Sequence, residues 1–115
     1  MKRAKKILND PRNAADELLA GLVAAYRGEV TRLEGTGAVV KRQLAEGKVA
    51  LLIGGGSGHE PLFPALIGHN LADGAACGHV FAAPSPDVIL AATKALDRRR
   101  GVLYLYGNAH GAHLG

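Results

Sequence analysis

The residues best suited to chemistry lie together in one short stretch. Gly54 to Gly58 contains four glycines and Ser57, and His59 follows directly. Glycine adopts unusual backbone angles without steric cost and has no side chain to hold a ligand away, so such a stretch can bring its backbone close to a small molecule. A neutral imidazole beside it can accept a proton near pH 7. The stretch therefore predicts a ligand site with His59 as its chemically active member.

The spacing excludes three common glycine motifs. The dinucleotide fingerprint and the nucleophile elbow would each need a glycine where His59 stands, and a phosphate-binding P-loop would need a lysine that is absent. His59 is thus the unusual feature of the stretch. The alternative is that His59 has no chemical role and only caps the loop by hydrogen bonding.

The flanking sequence predicts a strand, a glycine loop and a helix, in that order. Residues 48–53 are mostly apolar and predict a strand, and residues 61–67 predict a short helix that begins at Pro61. His59 would then lie at a helix N-terminus. The positive partial charge there would disfavour protonation of its imidazole and keep it neutral.

The rest of the chain predicts further helices and strands in alternation. An amphipathic helix over 11–26, capped by Asp10, is followed by short strands that could be edge strands or an irregular connection. A later helix starts at Pro86 after the capping residue Ser85. The predicted strands outside the glycine region are 30–33, 38–41, 75–81 and 102–106.

Alternating strands and helices predict an α/β fold with a mostly parallel sheet and flanking helices. The carboxyl ends of parallel strands share one edge, and ligands bind outside that edge. Three loops should therefore meet there, namely 54–59, 82–85 and 107–112. This arrangement would bring His59, Asn108 and His110 within reach of one pocket.

Composition narrows the class of protein. The chain has 115 residues, which suits one domain, and its 48% hydrophobic and 4% aromatic residues favour an alanine- and valine-packed α/β core. The net charge of +4 comes from basic clusters that we interpret as solvated ends, not as a nucleic-acid site. Because Cys77 is the single cysteine, an internal disulfide is excluded, which fits a reducing cytoplasm. Its apolar surroundings in the sequence predict a core residue. No apolar run approaches the ~18 residues of a membrane span.

Metal binding is not predicted. His110 and His113 could ligate a metal if they were helical, but no third carboxylate or thiol lies near them in the sequence.

Three motifs carry a family resemblance. In chain order they read GGGSGHEP, AACGHVFAAPSPD and GVLYLYGN, and together with the opening KKILNDPRNAADELLAGLVAAY they resemble the substrate-binding subunit or domain of dihydroxyacetone kinases. The resemblance runs to about Asn108, and the family's subunits are much longer. It implies that residues 1–115 are the N-terminal part of a larger two-domain subunit, with 109–115 an atypical tail.

The resemblance also implies a function for the glycine loop. The positions of Gly56, Ser57, Gly58 and His59 would bind dihydroxyacetone or a related short ketose, with Asn108 as a further substrate-binding residue. His59 would be the catalytic general base toward the hydroxyl that receives phosphate. This chemistry is sound because an alcohol is a poor nucleophile until its proton has an acceptor.

The family places the phosphoryl donor elsewhere. The resemblance implies that this chain binds no cofactor itself. A separate nucleotide-binding subunit or domain would carry ATP with magnesium, or bound ADP that a phosphotransferase chain rephosphorylates. We also expect a cytoplasmic homodimer. The charge pattern and the lack of long apolar runs lead us to expect that it binds neither nucleic acid nor membrane.

Some positions depart from the family pattern. Gly107 and Ala112 stand where many members have lysine and aspartate, and Ala83 stands where serine is common. In the family, a histidine holds the ketose covalently. That histidine lies in the second half of the family's subunits, which has no counterpart in this sequence. Two alternatives to a kinase therefore stay open: a non-catalytic ketose-binding or regulatory module, and a truncated inactive relic whose cut sheet would expose an apolar edge.

Overall fold

A computed structural model describes residues 7–107 as one five-stranded sheet with two α-helices. The strands are β1 (Val30–Arg32), β2 (Ala38–Lys41), β3 (Ala50–Ser57), β4 (Gly74–Val80) and β5 (Val102–Tyr106). The helices are α1 (Ala14–Ala25) and α2 (Pro86–Leu96), and short 3₁₀ turns occupy Pro11–Asn13 and Pro64–Leu66.

The sheet is mixed, with the order β1-β2-β4-β3-β5. Strand β3 lies parallel to both β4 and β5, whereas β2 is antiparallel to β1 and β4. Four strands thus run in one direction and β2 alone is reversed, which confirms the predicted α/β class. The reversal follows from the short link between β1 and β2, because only antiparallel strands can be joined by so tight a turn.

Strand β2 lies inside the sheet, although the sequence predicted an edge strand or an irregular connection. It pairs with β1 on one side and β4 on the other, and Ala38 and Val39 are fully buried. The turn before it is held by Thr36, whose hydroxyl donates to the carbonyl of Leu33 at 2.8 Å and accepts from the amide of Ala38 at 3.1 Å. A short strand preceded by a glycine-containing turn gives no sequence signal of such central placement.

The two faces of the sheet carry separate cores. On one face Leu19 of α1 packs with Val39, Ile53 and Ala75, and on the other Leu96 of α2 packs in the second core. The remaining buried members of the second core are Ala38, Val40, Ala50, Leu52, Ala76 and Ala92. Neighbouring residues of one strand enter opposite cores because side chains alternate along a strand.

The helix predicted over 61–67 is wrong, and the strand predicted over 48–53 is longer than expected. Strand β3 continues through the glycines to Ser57, since Gly54 and Gly55 pair with β4. After it the chain forms turns and only the 3₁₀ turn Pro64–Leu66. Pro64 has no amide to donate back along a helix, which disfavours a regular α-helix here.

The two α-helices agree closely with the predictions made from the sequence. The predicted helix 11–26 is present as Pro11–Asn13 plus α1, and the Asp10 carboxylate caps it by accepting from the Arg12 amide at 2.9 Å. Helix α2 starts at Pro86, although the Ser85 side chain makes no capping bond. Cys77 is buried as predicted, and desolvation raises the pKa of its thiol to about 11.

Strand β5 lies at the edge of the described sheet. Strand β5 pairs with β3 alone among the described strands, and the side chains of Leu103 and Leu105 are exposed. None of the described helices combines the length and apolar character needed to cross a membrane.

A buried carboxylate fastens three strands at the end of the sheet where β3 and β4 begin. Asp73, 2% exposed, accepts from the Leu51 amide at 2.8 Å and from the Lys41 ammonium at 3.3 Å. Its own backbone amide and carbonyl also bond to Leu51 and Lys41. Since Leu51 belongs to β3 and Lys41 to β2, Asp73 joins both strands to the start of β4.

We expect Asp73→Ala to destabilise the protein by about 3–5 kcal/mol, because it leaves the Lys41 charge and the Leu51 amide without their partner. Asp73→Asn retains an acceptor and should cost less. The measurement is urea unfolding followed by circular dichroism. Glu46→Ala, an exposed acidic residue in the loop before β3, is the control and should change stability by less than about 0.5 kcal/mol. Equal midpoints for Asp73→Ala and the control would contradict the role of Asp73.

Candidate functional site

The glycine stretch lies at the carboxyl end of β3, between the ends of β4 and β5. Gly56 and Ser57 complete the strand, and Gly58 and His59 follow as an exposed turn. The exit of β4 reaches the same place, because Ser57 is in register with Val80. The predicted meeting of the loops after β3 and β4 is therefore confirmed. Asn108, His110 and Ala112 lie outside the described residues.

The glycines have neighbours within the protein itself. A Cβ on Gly54 would collide with the backbone of Ala76, and one on Gly55 with the ring of Phe63. At Gly56 a Cβ would lie 3.0 Å from the carbonyl oxygen of Ala82. Close internal packing therefore requires glycine at these positions whether or not a ligand binds. The substrate-binding role of Gly56 stays a prediction.

Ser57 fastens the end of β3 to β4. Its side chain is 5% exposed, and its hydroxyl donates to the carbonyl of Gly78 at 2.8 Å. The Ser57 carbonyl in turn accepts from the Phe81 amide. Ser57 thus holds the two strand ends together, and its hydroxyl proton is already engaged.

Glu60 is a site residue that the sequence reasoning missed. Its carboxylate reaches back to accept from the amide of Gly58 at 2.8 Å. Partial burial would raise the pKa of Glu60, but hydrogen bonding to its carboxylate, as from the Gly58 amide, lowers the pKa below the usual value.

His59 is open to solvent beyond the end of β3. Its ring meets the ring of Phe63 edge to face, with centroids 5.3 Å apart and planes inclined at 72°. No α-helix begins beside it, so the predicted neutralising effect of a helix N-terminus is wrong. Its loop-capping alternative also lacks support, because none of the hydrogen bonds among residues 7–107 uses its imidazole.

Phe63 connects His59 to an apolar cavity of about 280 Å³ at the same edge of the sheet. Ile53 of β3 and Leu105 and Tyr106 of β5 form much of its wall. The described part of the chain holds no cluster of three histidine, cysteine or acidic side chains suited to a metal. What this edge offers chemically is a proton acceptor at His59, one carboxylate and backbone polar groups beside apolar surface.

Phe81 forms the rim of the site and was also missed by sequence reasoning. Its backbone φ is +56°, and its side chain is 91% exposed. A Cβ on Gly58 would lie 3.0 Å from the Phe81 ring. Gly58 itself has a φ of +124°. The left-handed conformation costs a residue with a side chain about 1–2 kcal/mol.

Comparison with known proteins gives consistent matches. The Dak1 domain family matches residues 20–114. The dihydroxyacetone-binding subunit of a PTS-dependent dihydroxyacetone kinase from Listeria innocua is 40% identical over 107 residues, covering 93% of this chain and 32% of that protein. An L-erythrulose kinase from Pectobacterium atrosepticum is 43% identical over 105 residues, covering 91% and 18%.

Among solved structures, the dihydroxyacetone kinase from C. freundii in complex with AMP-PNP and Mg²⁺ superposes with a TM-score of 0.86 at 34% identity. The match covers 97% of this chain and 22% of that one. The chain thus spans about a third, or less, of the length of these relatives. Since sequence profile, relatives and fold agree, the chain belongs to the Dak1 domain family of dihydroxyacetone kinases.

Proposed function

We propose that this chain binds dihydroxyacetone or a related short ketose and presents one of its hydroxyls for phosphorylation. The observation that carries the proposal is the exposed imidazole of His59 at the edge where the parallel strands end. Ligands of α/β sheets bind outside this edge. The names of the relatives, which are dihydroxyacetone and erythrulose kinases, support the choice of substrate.

His59 serves as the general base. Its imidazole takes the proton of the ketose hydroxyl while that oxygen forms a bond to the transferred phosphorus, and the bond from phosphorus to the donor breaks. The exposed ring can approach a bound hydroxyl without displacing a protein partner. Its edge-on contact with Phe63 fixes one side of the ring and leaves the other available.

The main chain of Gly56 to His59 and the amide of Asn108 bind the ketose. The Ser57 hydroxyl already donates to Gly78, and the Gly58 amide to Glu60. The ketose oxygens therefore meet the other backbone groups of this turn, and Ser57 and Gly58 contribute by shaping it. The glycine positions keep side chains out of the approach path.

The phosphoryl donor belongs to a separate nucleotide-binding subunit or domain. The relatives support this division, because one is named a dihydroxyacetone-binding subunit and the C. freundii kinase, of which this chain covers 22%, was solved with AMP-PNP and Mg²⁺. ATP with magnesium on that partner supplies the phosphoryl group directly, or ADP bound there is first rephosphorylated by a phosphotransferase chain and then donates that phosphoryl group. Assembly of this chain as a homodimer is part of the same proposal.

Ketose binding by the chain tests the proposal directly. Titration of ¹⁵N-labelled protein with dihydroxyacetone should shift the amide signals of residues 54–60 and 81–83, because these segments form the edge at which it binds. The signals of Asp97 to Gly101, at the opposite edge, should stay fixed. Glycerol, which lacks the carbonyl, is the control ligand. If the ketose leaves the signals of 54–60 unmoved at millimolar concentration, the proposal fails.

His59→Ala should slow ketose phosphorylation by about 10²-fold or more when the nucleotide-binding partner is supplied, because the general base is removed. The exposed position of His59 predicts an unchanged circular dichroism spectrum. His69→Ala removes another exposed histidine, outside the site, and is the matched control with full activity. An active His59→Ala protein would eliminate the base role, and an unfolded one would assign His59 to structure.

The Glu60 carboxylate should control the Gly58 amide. A lowered folded-state pKa means that the bond is complete at neutral pH and is lost only as pH falls through that pKa, below the usual value for glutamate. The wild-type Gly58 amide signal should therefore titrate in this acidic range. Glu60→Gln should abolish the titration yet keep slow hydrogen exchange at Gly58, whereas Glu60→Ala should speed exchange about fivefold. Equal exchange rates in all three proteins would refute the contact.

A further inference from the structure

Phe81 occupies a backbone position that suits glycine. It is the third residue of a turn closed by a hydrogen bond of 3.0 Å from the Ala82 amide to the His79 carbonyl. Turns with a positive φ at this place favour glycine, because a Cβ is strained there. A φ of +56° puts a bulky aromatic residue in that strained region.

Burial does not compensate for this strain. The side chain of Phe81 is 91% exposed, so it contributes almost nothing to either core. Exposed glycine would relieve the backbone and lose no core packing. A strained residue that the fold does not need is evidence for a role in function.

The position of the ring indicates where that role lies. The Phe81 amide bonds to the Ser57 carbonyl, which fixes the turn to the end of β3. The ring itself lies against Gly58, directly before His59. Phe81 therefore stands beside the candidate base and would contact a molecule bound over the glycine turn.

We propose that Phe81 is the aromatic wall of the ketose site, against which the carbon chain of the substrate packs. This inference rests on the proposed function and deepens it by naming a residue that determines affinity. Small-molecule sites combine apolar or aromatic walls with a few polar groups that fix orientation. Here the backbone and His59 supply the polar groups, and Phe81 supplies the apolar surface for the carbon-bound hydrogens of the ketose.

Arg99 provides a matched control for backbone strain. It is exposed, has a φ of +59° and lies in the loop before β5, at the opposite edge of the sheet. Replacing Phe81 or Arg99 with glycine relieves the same kind of strain. Only the change at Phe81 alters the proposed site.

The test measures thermal midpoints and dihydroxyacetone affinity, by the same amide titration, in four proteins: the wild type, Phe81→Gly, Phe81→Tyr and Arg99→Gly. Both glycine variants should raise the midpoint by about 2–6 °C, since the relieved strain outweighs the added chain entropy. Phe81→Gly alone should weaken ketose binding, by about fivefold or more. Phe81→Tyr retains the ring face and should bind within about twofold of the wild type.

Two results would overturn the inference while leaving the proposed function intact. Phe81→Gly could bind the ketose as tightly as the wild type, or it could melt at a lower temperature, which would make Phe81 a structural residue. If Phe81→Gly binds the ketose normally but loses phosphorylation in the presence of the nucleotide-binding partner, the Phe81 ring contacts that partner and not the ketose. A wild-type chain without ketose affinity would overturn the proposed function and this inference together.

Discussion

The close approach of three chain segments around the carboxyl end of β3 is the constraint on which the site depends. Ala76 of β4, Phe63 and Ala82 each come so near to β3 that a Cβ on the facing glycine would collide or be tightly crowded. The glycine stretch can therefore remain in the sheet while the segments pack over it. Because of this packing, His59 lies at the surface just after the end of β3.

The two ends of the sheet are held by different physical means. At one end the buried carboxylate of Asp73 joins β2, β3 and β4 through a charge and hydrogen bonds. At the other end the contacts are backbone to backbone, with Ser57 as the main side-chain link. The buried charge of Asp73 stabilises the fold at its own end of the sheet, because its hydrogen-bond partners belong to the protein itself. The end with fewer side-chain hydrogen bonds is the one at which we propose that the ketose binds.

The order of functional groups at that open end follows from the turn after β3. Glu60 folds back onto Gly58, so the intervening His59 is directed away from the carboxylate's bond and toward solvent. The edge-on contact with Phe63 then orients the ring. Under the proposed function, backbone groups, the His59 imidazole and the aromatic rim would contact the short ketose. This agrees with the ketose kinases among the relatives.

The sequence by itself determined the α/β class, the two α-helices, the strand Val102–Tyr106 and the family, because caps, prolines, apolar periodicity and an eight-residue motif are local properties. It also singled out His59. Only the tertiary structure decided that β2 is central, that β3 continues to Ser57 and that no helix follows. It likewise revealed Glu60 and Phe81. These features depend on hydrogen bonds and packing between segments distant in sequence, which local patterns do not encode.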